Sequence, residues 1–133
     1  VRKVGRAAAS LNQEVWMEMH GSGTAHPPCM RRIMDVADLP NVGVAWNSNL
    51  RFDLKNGSVK PYFELMRDKI LSVHINELIN GYPYEELFTL LNASGYDRYT
   101  LIEAQPLQEG NAADAERFLR YYIKLWDALS QSG

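Results

Sequence analysis

The sequence predicts an α/β fold built from parallel β/α units, with four strands and about five helices. Four short β-rich segments begin at residues 15, 42, 70 and 99, so successive starts lie 27, 28 and 29 residues apart. Stripes of apolar residues with helical spacing lie between these segments. A strand and a helix that alternate at this spacing are typical of right-handed parallel units, whose strands are buried on both faces.

The strands are predicted at residues 15–20, 42–47, 70–76 and 99–104. Alternate residues of a strand point to opposite faces of the sheet, and one of the two sets is almost wholly apolar. We expect that set to face the covering helices; it comprises Val15, Met17, Met19, Val42, Val44, Trp46, Leu71, Val73, Ile75, Thr100, Ile102 and Ala104.

The helices are predicted from apolar residues spaced three and four apart. The first four stripes begin at Val4, Met30, Val59 and Tyr84, and a longer stripe runs from Ala115 to Leu129. The residues at the helix ends agree with these stripes. Pro27, Pro28, Pro61 and Pro83 suit first turns, Gly95 suits a helix end, and Asn111 with Asp114 resembles a capping pair.

Two other folds share part of this pattern. A leucine-rich solenoid has a similar period, but its repeated Leu and Asn consensus is missing here. An open doubly wound sheet stays an alternative, although no Gly-rich phosphate loop follows any of the four strands.

Composition limits the class of protein. With 133 residues, 46 % of them apolar, the chain can bury one core, and we expect a single domain over residues 1–133. The formal net charge is -2 and no run of Lys or Arg exceeds two residues, which argues against nucleic acid as a partner. The sequence contains neither an apolar run long enough to span a membrane nor a signal-peptide core, so we expect a soluble, cytoplasmic protein.

Polar residues occupy the other face of each strand, towards its carboxyl end. They are Glu18, His20, Asn47, His74, Asn76 and Glu103. In a closed barrel of parallel strands such residues converge at one rim, and residues 18, 47, 74 and 103 are expected at about the same height. Each residue also has a structural explanation. The alternatives are a Glu that is salt-bridged or exposed to solvent, a His74 that is a hydrogen-bonded core residue, and an Asn47 that begins a turn.

The nature of these side chains indicates a metal. Because Cys29 is the only cysteine, any metal site must use His, Asp, Glu or Asn. Two carboxylates, one imidazole and one amide oxygen suit Mn²⁺, Mg²⁺, Co²⁺ or Zn²⁺.

These motifs resemble the C-terminal half of the xylose isomerase-like TIM-barrel family, which includes sugar phosphate isomerases and epimerases. The resemblance covers nearly the whole chain. It depends on the ME-x-H run at Glu18 and His20, the PNVGVAWN segment at 40–47, the SVHIN segment around His74 and the GYDRYTLIE segment at 95–103.

The resemblance implies a divalent metal held by Glu18, Asn47, His74 and Glu103. The family usually has Asp where this chain has Asn47, which lowers the negative charge of the expected ligand set. The family also commonly has His where this chain has Leu50. The implied function is a metal-dependent isomerase or epimerase of a sugar, sugar phosphate or polyol, acting through an enediolate. Glu18 and Glu103 would exchange the proton.

The resemblance and the strand pattern leave two points open. His20 and Asn76 are candidate substrate-binding residues, with a structural role as the alternative. Four strands are half of an eight-stranded barrel, so we expect the chain to be a fragment, or to need another half-barrel or self-association.

Two other functions are alternatives to the isomerase. One is a non-catalytic carbohydrate-binding or protein-interaction barrel, which the Asn47 and Leu50 departures favour. The other, a hydrolase of abasic DNA, is disfavoured because it needs about three zinc ions with more His and Asp ligands.

Overall fold

A computed structural model describes residues 1–105 and 109–131 of the chain. Strands and helices alternate along it, as the sequence predicts. The strands are β1 (Val15–Glu18), β2 (Val42–Trp46), β3 (Ile70–Ile75) and β4 (Thr100–Ile102). The helices are α1 (Arg2–Ala9), α2 (Pro27–Ala37), α3 (Lys60–Met66), α4 (Tyr84–Ala93) and α5 (Ala112–Gln131), and a 3₁₀ turn at Arg67–Lys69 precedes β3.

The four strands form one parallel sheet in the order β1-β2-β3-β4. The predicted α/β class, with four strands and five helices, is confirmed. Within the described residues the sheet is open, with β1 and β4 at its edges, so half of a TIM barrel is not shown. The strands end one or two residues before the predicted limits, and β4 begins one residue later than predicted.

The helices contact one another in chain order, from α1 against α2 to α4 against α5, and so form one layer over the sheet. The core lies between this layer and the apolar face of the strands. Val42, Val44 and Trp46 of β2 are at most 2 % exposed, and Trp46 packs edge-on against Phe63 of α3. The apolar face was therefore predicted correctly for β2, where the burial is most complete.

The helix ends also follow the sequence, with one exception. Proline occupies the first turn of α2 and of α3. Asn111 Oδ1 accepts the Asp114 N–H while Asp114 accepts the Asn111 N–H, which is a reciprocal cap. Pro83 is the exception, because it precedes α4 as the N-cap residue and does not lie in the first turn.

Leu71 was assigned to the wrong face. Val44 pairs with Ile70 whereas Ala45 pairs with Ser72, so Leu71 is an extra residue in β3. Its side chain lies over Gly43, on the face opposite the helices, where a Cβ on the glycine would collide with it. A bulge of this kind shifts the alternation by one residue, and a strict period of two cannot reveal it.

The amino ends of the strands are joined across the face opposite the helices. Trp16 Nε1 donates to Glu14 over 2.7 Å, and the guanidinium of Arg98 lies 5.7 Å from the Trp16 ring centroid while pairing with Glu14. Arg98 Nε also donates to the Leu71 carbonyl over 2.7 Å. This group links the start of β4 to β1 below the polar residues.

None of the helices in the described ranges has both the length and the apolar character that crossing a bilayer requires.

Candidate functional site

Glu18, His74 and Glu103 meet at the carboxyl ends of β1, β3 and β4. Each offers one oxygen or nitrogen atom, and these three atoms all lie within 4.8 Å of one another. The residues are 29 to 85 positions apart in the sequence, so only the parallel sheet brings them together. The structure therefore places three of the four predicted ligands in one cluster, and their function stays a prediction.

The four predicted positions do not share one height in the sheet. The Cα partner of Glu18 lies two residues before Asn47, and the partner of His74 lies two residues before Glu103. The polar positions therefore rise from β1 to β4. Their side chains still converge because twisted parallel strands are staggered along the sheet, and long carboxylate side chains span the difference.

His74 Nδ1 has no hydrogen-bond partner, although the atom is buried. It lies 3.3 Å from Glu103 Oε2 and 3.9 Å from Glu18 Oε1, without the alignment of a hydrogen bond. A buried nitrogen of this kind costs free energy unless something else satisfies it. Two carboxylate oxygens around an imidazole nitrogen form a donor set that divalent metals prefer, so the residues fit a metal ion.

Asn47 turns its amide nitrogen towards this cluster. Its Nδ2 donates to Glu18 Oε1 over 2.9 Å and lies 3.0 Å from Nδ1 of His20. The Oδ1 atom, which would have to bind a metal, lies 3.4 Å from the Asn76 amide instead. In this arrangement Asn47 supplies a hydrogen-bond donor to the cluster. Its side-chain amide would have to rotate for Oδ1 to bind a metal.

His20 and Asn76 flank the cluster in different ways. His20 is exposed, and its Nδ1 is 3.7 Å from Glu18 Oε1. The Asn76 side-chain amide reaches Asn47 Oδ1 and the backbone carbonyls of Asn47 and Ser48, while the Asn76 backbone carbonyl accepts the Tyr122 hydroxyl. These contacts favour the structural role of Asn76, whereas His20 remains accessible to a ligand.

The cluster is open on one side. The side chains of Glu18 and Glu103 are 45 % and 49 % exposed, and that of His74 is 23 % exposed. A small molecule can therefore reach both carboxylates from solvent, while the histidine stays mostly enclosed at the base.

Sequence reasoning missed a polar cluster beside the site, formed by Ser48, Asn49, Asp53 and Tyr82. Asp53 is fully buried, and its Oδ2 accepts the Asn49 N–H over 2.7 Å and the Tyr82 hydroxyl over 3.2 Å. The Tyr82 hydroxyl in turn accepts from Trp46 Nε1 over 3.1 Å. The spacing of Asn49 and Asp53, four residues apart in a loop, was the available signal, and it is common in ordinary turns.

Burial raises the pKa of Asp53 to about 7, and the hydrogen bonds from Asn49 and Tyr82 oppose that rise without cancelling it. Burial likewise raises the pKa of Tyr82 well above its ordinary value, with the nearby Asp53 charge adding to the effect. Among the described residues Asp53 forms no ion pair. The Asp53 carboxyl therefore ionises near neutral pH, whereas that of an ordinary surface Asp is already ionised there.

The fold defines the chain as a parallel β/α protein, and one solved structure shares it closely. The chain is similar to 3-keto-D-glucoside 4-epimerase YcjR of E. coli, in its apo form, with a TM-score of 0.72 and 20 % identity. The similarity covers 92 % of this chain and 50 % of the epimerase, so the chain spans about half the length of that structure. At this identity the likeness shows the fold.

Neither a family model nor a curated protein matches the sequence. These findings correct the predicted membership of the xylose isomerase-like TIM-barrel family. No family model supports it, and a solved structure that shares the fold is named as a 3-keto-D-glucoside 4-epimerase. The short motifs, SVHIN among them, are therefore not sufficient to assign the chain to that family.

Proposed function

We propose that the chain carries the active-site face of a divalent-metal-dependent epimerase or isomerase that acts on a sugar or a related polyol. One observation carries this proposal: the buried, unpartnered His74 Nδ1 lies between the carboxylates of Glu18 and Glu103. An epimerase as the neighbour in fold supports the same chemistry.

The metal would be held by Glu18, His74 and Glu103, with Asn47 as a fourth ligand through Oδ1. Mn²⁺, Mg²⁺, Co²⁺ and Zn²⁺ all accept carboxylate and imidazole ligands. When bound, such an ion polarises a carbonyl or hydroxyl oxygen and so acidifies the neighbouring C–H group.

The two carboxylates would move the proton. Glu18 would remove it from the carbon beside the substrate carbonyl, which would leave an enediolate, and Glu103, protonated at the start, would donate its own proton to the opposite face. Their positions on opposite edge strands, with His74 between them, support this division of roles. His20, exposed beside Glu18, would hydrogen-bond a substrate hydroxyl.

The sheet would be completed by further parallel strands. Its open edges, β1 and β4, leave backbone groups unpaired within the described residues, and the chain spans half of the similar structure. We propose that a second set of β/α units covers these edges.

Two measurements test the metal and the chemistry separately. Mn²⁺ titration by calorimetry should show one site that His74→Ala abolishes and His26→Ala leaves intact, since His26 packs on Tyr62 outside the cluster. Proton exchange is then followed by NMR in D₂O with a panel of keto-sugars. Exchange should be lost in Glu18→Gln and Glu103→Gln but kept in the surface control Glu64→Gln. Absence of both binding and exchange in the unaltered chain would contradict the proposal.

A second function is favoured by the orientation of Asn47. Its Nδ2 already satisfies Glu18, which is the task that a cation would otherwise perform. This arrangement supports a non-catalytic carbohydrate-binding or protein-interaction domain. Sugar binding without metal binding or proton exchange would distinguish this function from the enzyme.

A further inference from the structure

The loop after β2 joins three strand ends that carry the candidate site. Ser48 Oγ donates to the His74 carbonyl over 2.6 Å, and Asn49 Nδ2 donates to the Met19 carbonyl over 2.6 Å. Met19 directly follows Glu18, and Ser48 directly follows Asn47. The segment 48–53 therefore fixes the backbone next to three of the four predicted ligands.

The segment holds an unfavourable backbone conformation. Ser48 is buried and has a φ of 33°, in the left-handed region that non-glycine residues rarely adopt. A residue in this region costs free energy and persists only where its surroundings fix it. The stabilising interactions must therefore come from groups around the loop.

Asp53 supplies such an interaction from outside the site. Its Oδ2 accepts the backbone N–H of Asn49 and the hydroxyl of Tyr82, which joins the loop after β2 to the loop after β3. Tyr82 is itself bonded to Trp46, a core residue on the helix side of the sheet. Asp53 therefore connects the loop after β2, through Tyr82, to the core residue Trp46.

We infer that Asp53 is a positioning residue for the candidate site: through Asn49 and Tyr82 it holds segment 48–53, which aligns Asn47 and His74 with Glu18. This inference rests on the proposed function, since it assigns Asp53 a part in shaping the same metal site. Asp53 acts through hydrogen bonds that it accepts, and an asparagine oxygen can accept the same bonds.

The test compares Asp53→Ala, Asp53→Asn and Asn49→Ala with the unaltered chain. Ser94→Ala is the matched control, because Ser94 also donates to a backbone carbonyl but lies at the end of α4. Two properties are measured: the affinity for Mn²⁺ alone, and the ¹⁵N chemical shifts of the His74 ring without metal. The ring shifts report the surroundings of the imidazole and do not follow from a general loss of stability.

We expect Asp53→Ala and Asn49→Ala to lower Mn²⁺ affinity about tenfold, as loss of a group that orients ligands commonly does, and to move the His74 signals. Asp53→Asn should stay close to the unaltered chain in both measurements, and Ser94→Ala should match it. Unaltered affinity and His74 signals in Asp53→Ala would overturn the inference. An Asp53→Asn variant as impaired as Asp53→Ala would also overturn it, because the charge and not the accepted hydrogen bonds would then be responsible.

Different experimental outcomes would contradict the inference about Asp53 and the proposed function. If the unaltered chain binds no Mn²⁺, the metal proposal fails, and the His74 signals alone decide whether Asp53 positions the residue. If Asp53→Ala does not fold by circular dichroism, Tyr82→Phe decides, because it removes the hydroxyl that donates to Asp53. Unchanged His74 signals in Tyr82→Phe would then overturn the inference.

Discussion

Asn47 Nδ2 donates a hydrogen bond of 2.9 Å to Glu18 Oε1, across 29 residues of sequence. The Glu18 carboxylate therefore has a neutral amide beside it, at a position where a carboxylate ligand would add a negative charge. If the cluster binds a metal as proposed, we expect Asn47 to set how strongly it attracts the cation.

Replacement of this amide by a carboxylate should strengthen metal binding. Asn47→Asp adds a negative charge beside Glu18, and we expect Mn²⁺ affinity to rise about tenfold because ligand charge tunes the binding of hard cations. Calorimetric titration measures the change, with Asn41→Asp as the control, since Asn41 bonds backbone carbonyls near α1 instead. An affinity no higher than that of the control would contradict a metal site at Asn47. Higher affinity without proton exchange would favour the non-catalytic function.

Stability should depend on pH through Asp53. Its pKa is raised from 3.8 to about 7, so the folded chain keeps a proton that the unfolded chain releases. The free energy of unfolding should therefore fall as pH rises from about 4 to about 7, by up to about 4 kcal/mol, and change no further above that range. Asp53→Asn removes this dependence. Urea unfolding at several pH values measures it, and parallel curves for the two proteins would contradict the prediction.

The bulge at Leu71 requires glycine in the neighbouring strand. A Cβ at Gly43 would collide with the Lys69 backbone carbonyl oxygen and lie 2.5 Å from Leu71 Cγ, so Gly43→Ala should destabilise the fold by about 1–3 kcal/mol. Gly23→Ala is the matched control, since no atom lies within 4 Å of its Cβ position. Thermal unfolding measures both variants, and equal stability would show that the strands adjust at no cost.

The contacts among Glu14, Trp16 and Arg98 at the amino ends of the strands should raise the free energy of unfolding modestly. Arg98 pairs with Glu14 and lies over the Trp16 ring, while the hydrogen bond from Trp16 and the Arg98 guanidinium lower the pKa of Glu14. Because these groups are partly exposed, Arg98→Ala should cost about 1 kcal/mol.

Arg117→Ala is the control for that variant. Arg117 pairs with Asp114 within one helix and is 70 % exposed, so its loss should cost less than about 0.5 kcal/mol. Chemical unfolding that ranks the two variants in the reverse order would contradict the proposed role of Arg98.

Apolar periodicity was sufficient to predict the sheet and its helices. Alternation along β1 and β2 also located Glu18 and Asn47 on the face that carries the candidate site, because period and burial agree there. The bulge at Leu71 broke this rule, since an inserted residue leaves no trace in composition. Asp53 was missed for another reason: its burial depends on Tyr82, 29 residues away, and a contact between two loops has no periodic signal.

The position of a bound metal tests the central claim most directly. Crystals of the chain soaked in Mn²⁺ should show an anomalous scattering peak bounded by the side chains of Glu18, His74 and Glu103, and His74→Ala crystals soaked in parallel should lack it. A peak elsewhere, or no peak at millimolar Mn²⁺ in crystals that leave this face open, would contradict a metal site at the carboxyl ends of these strands.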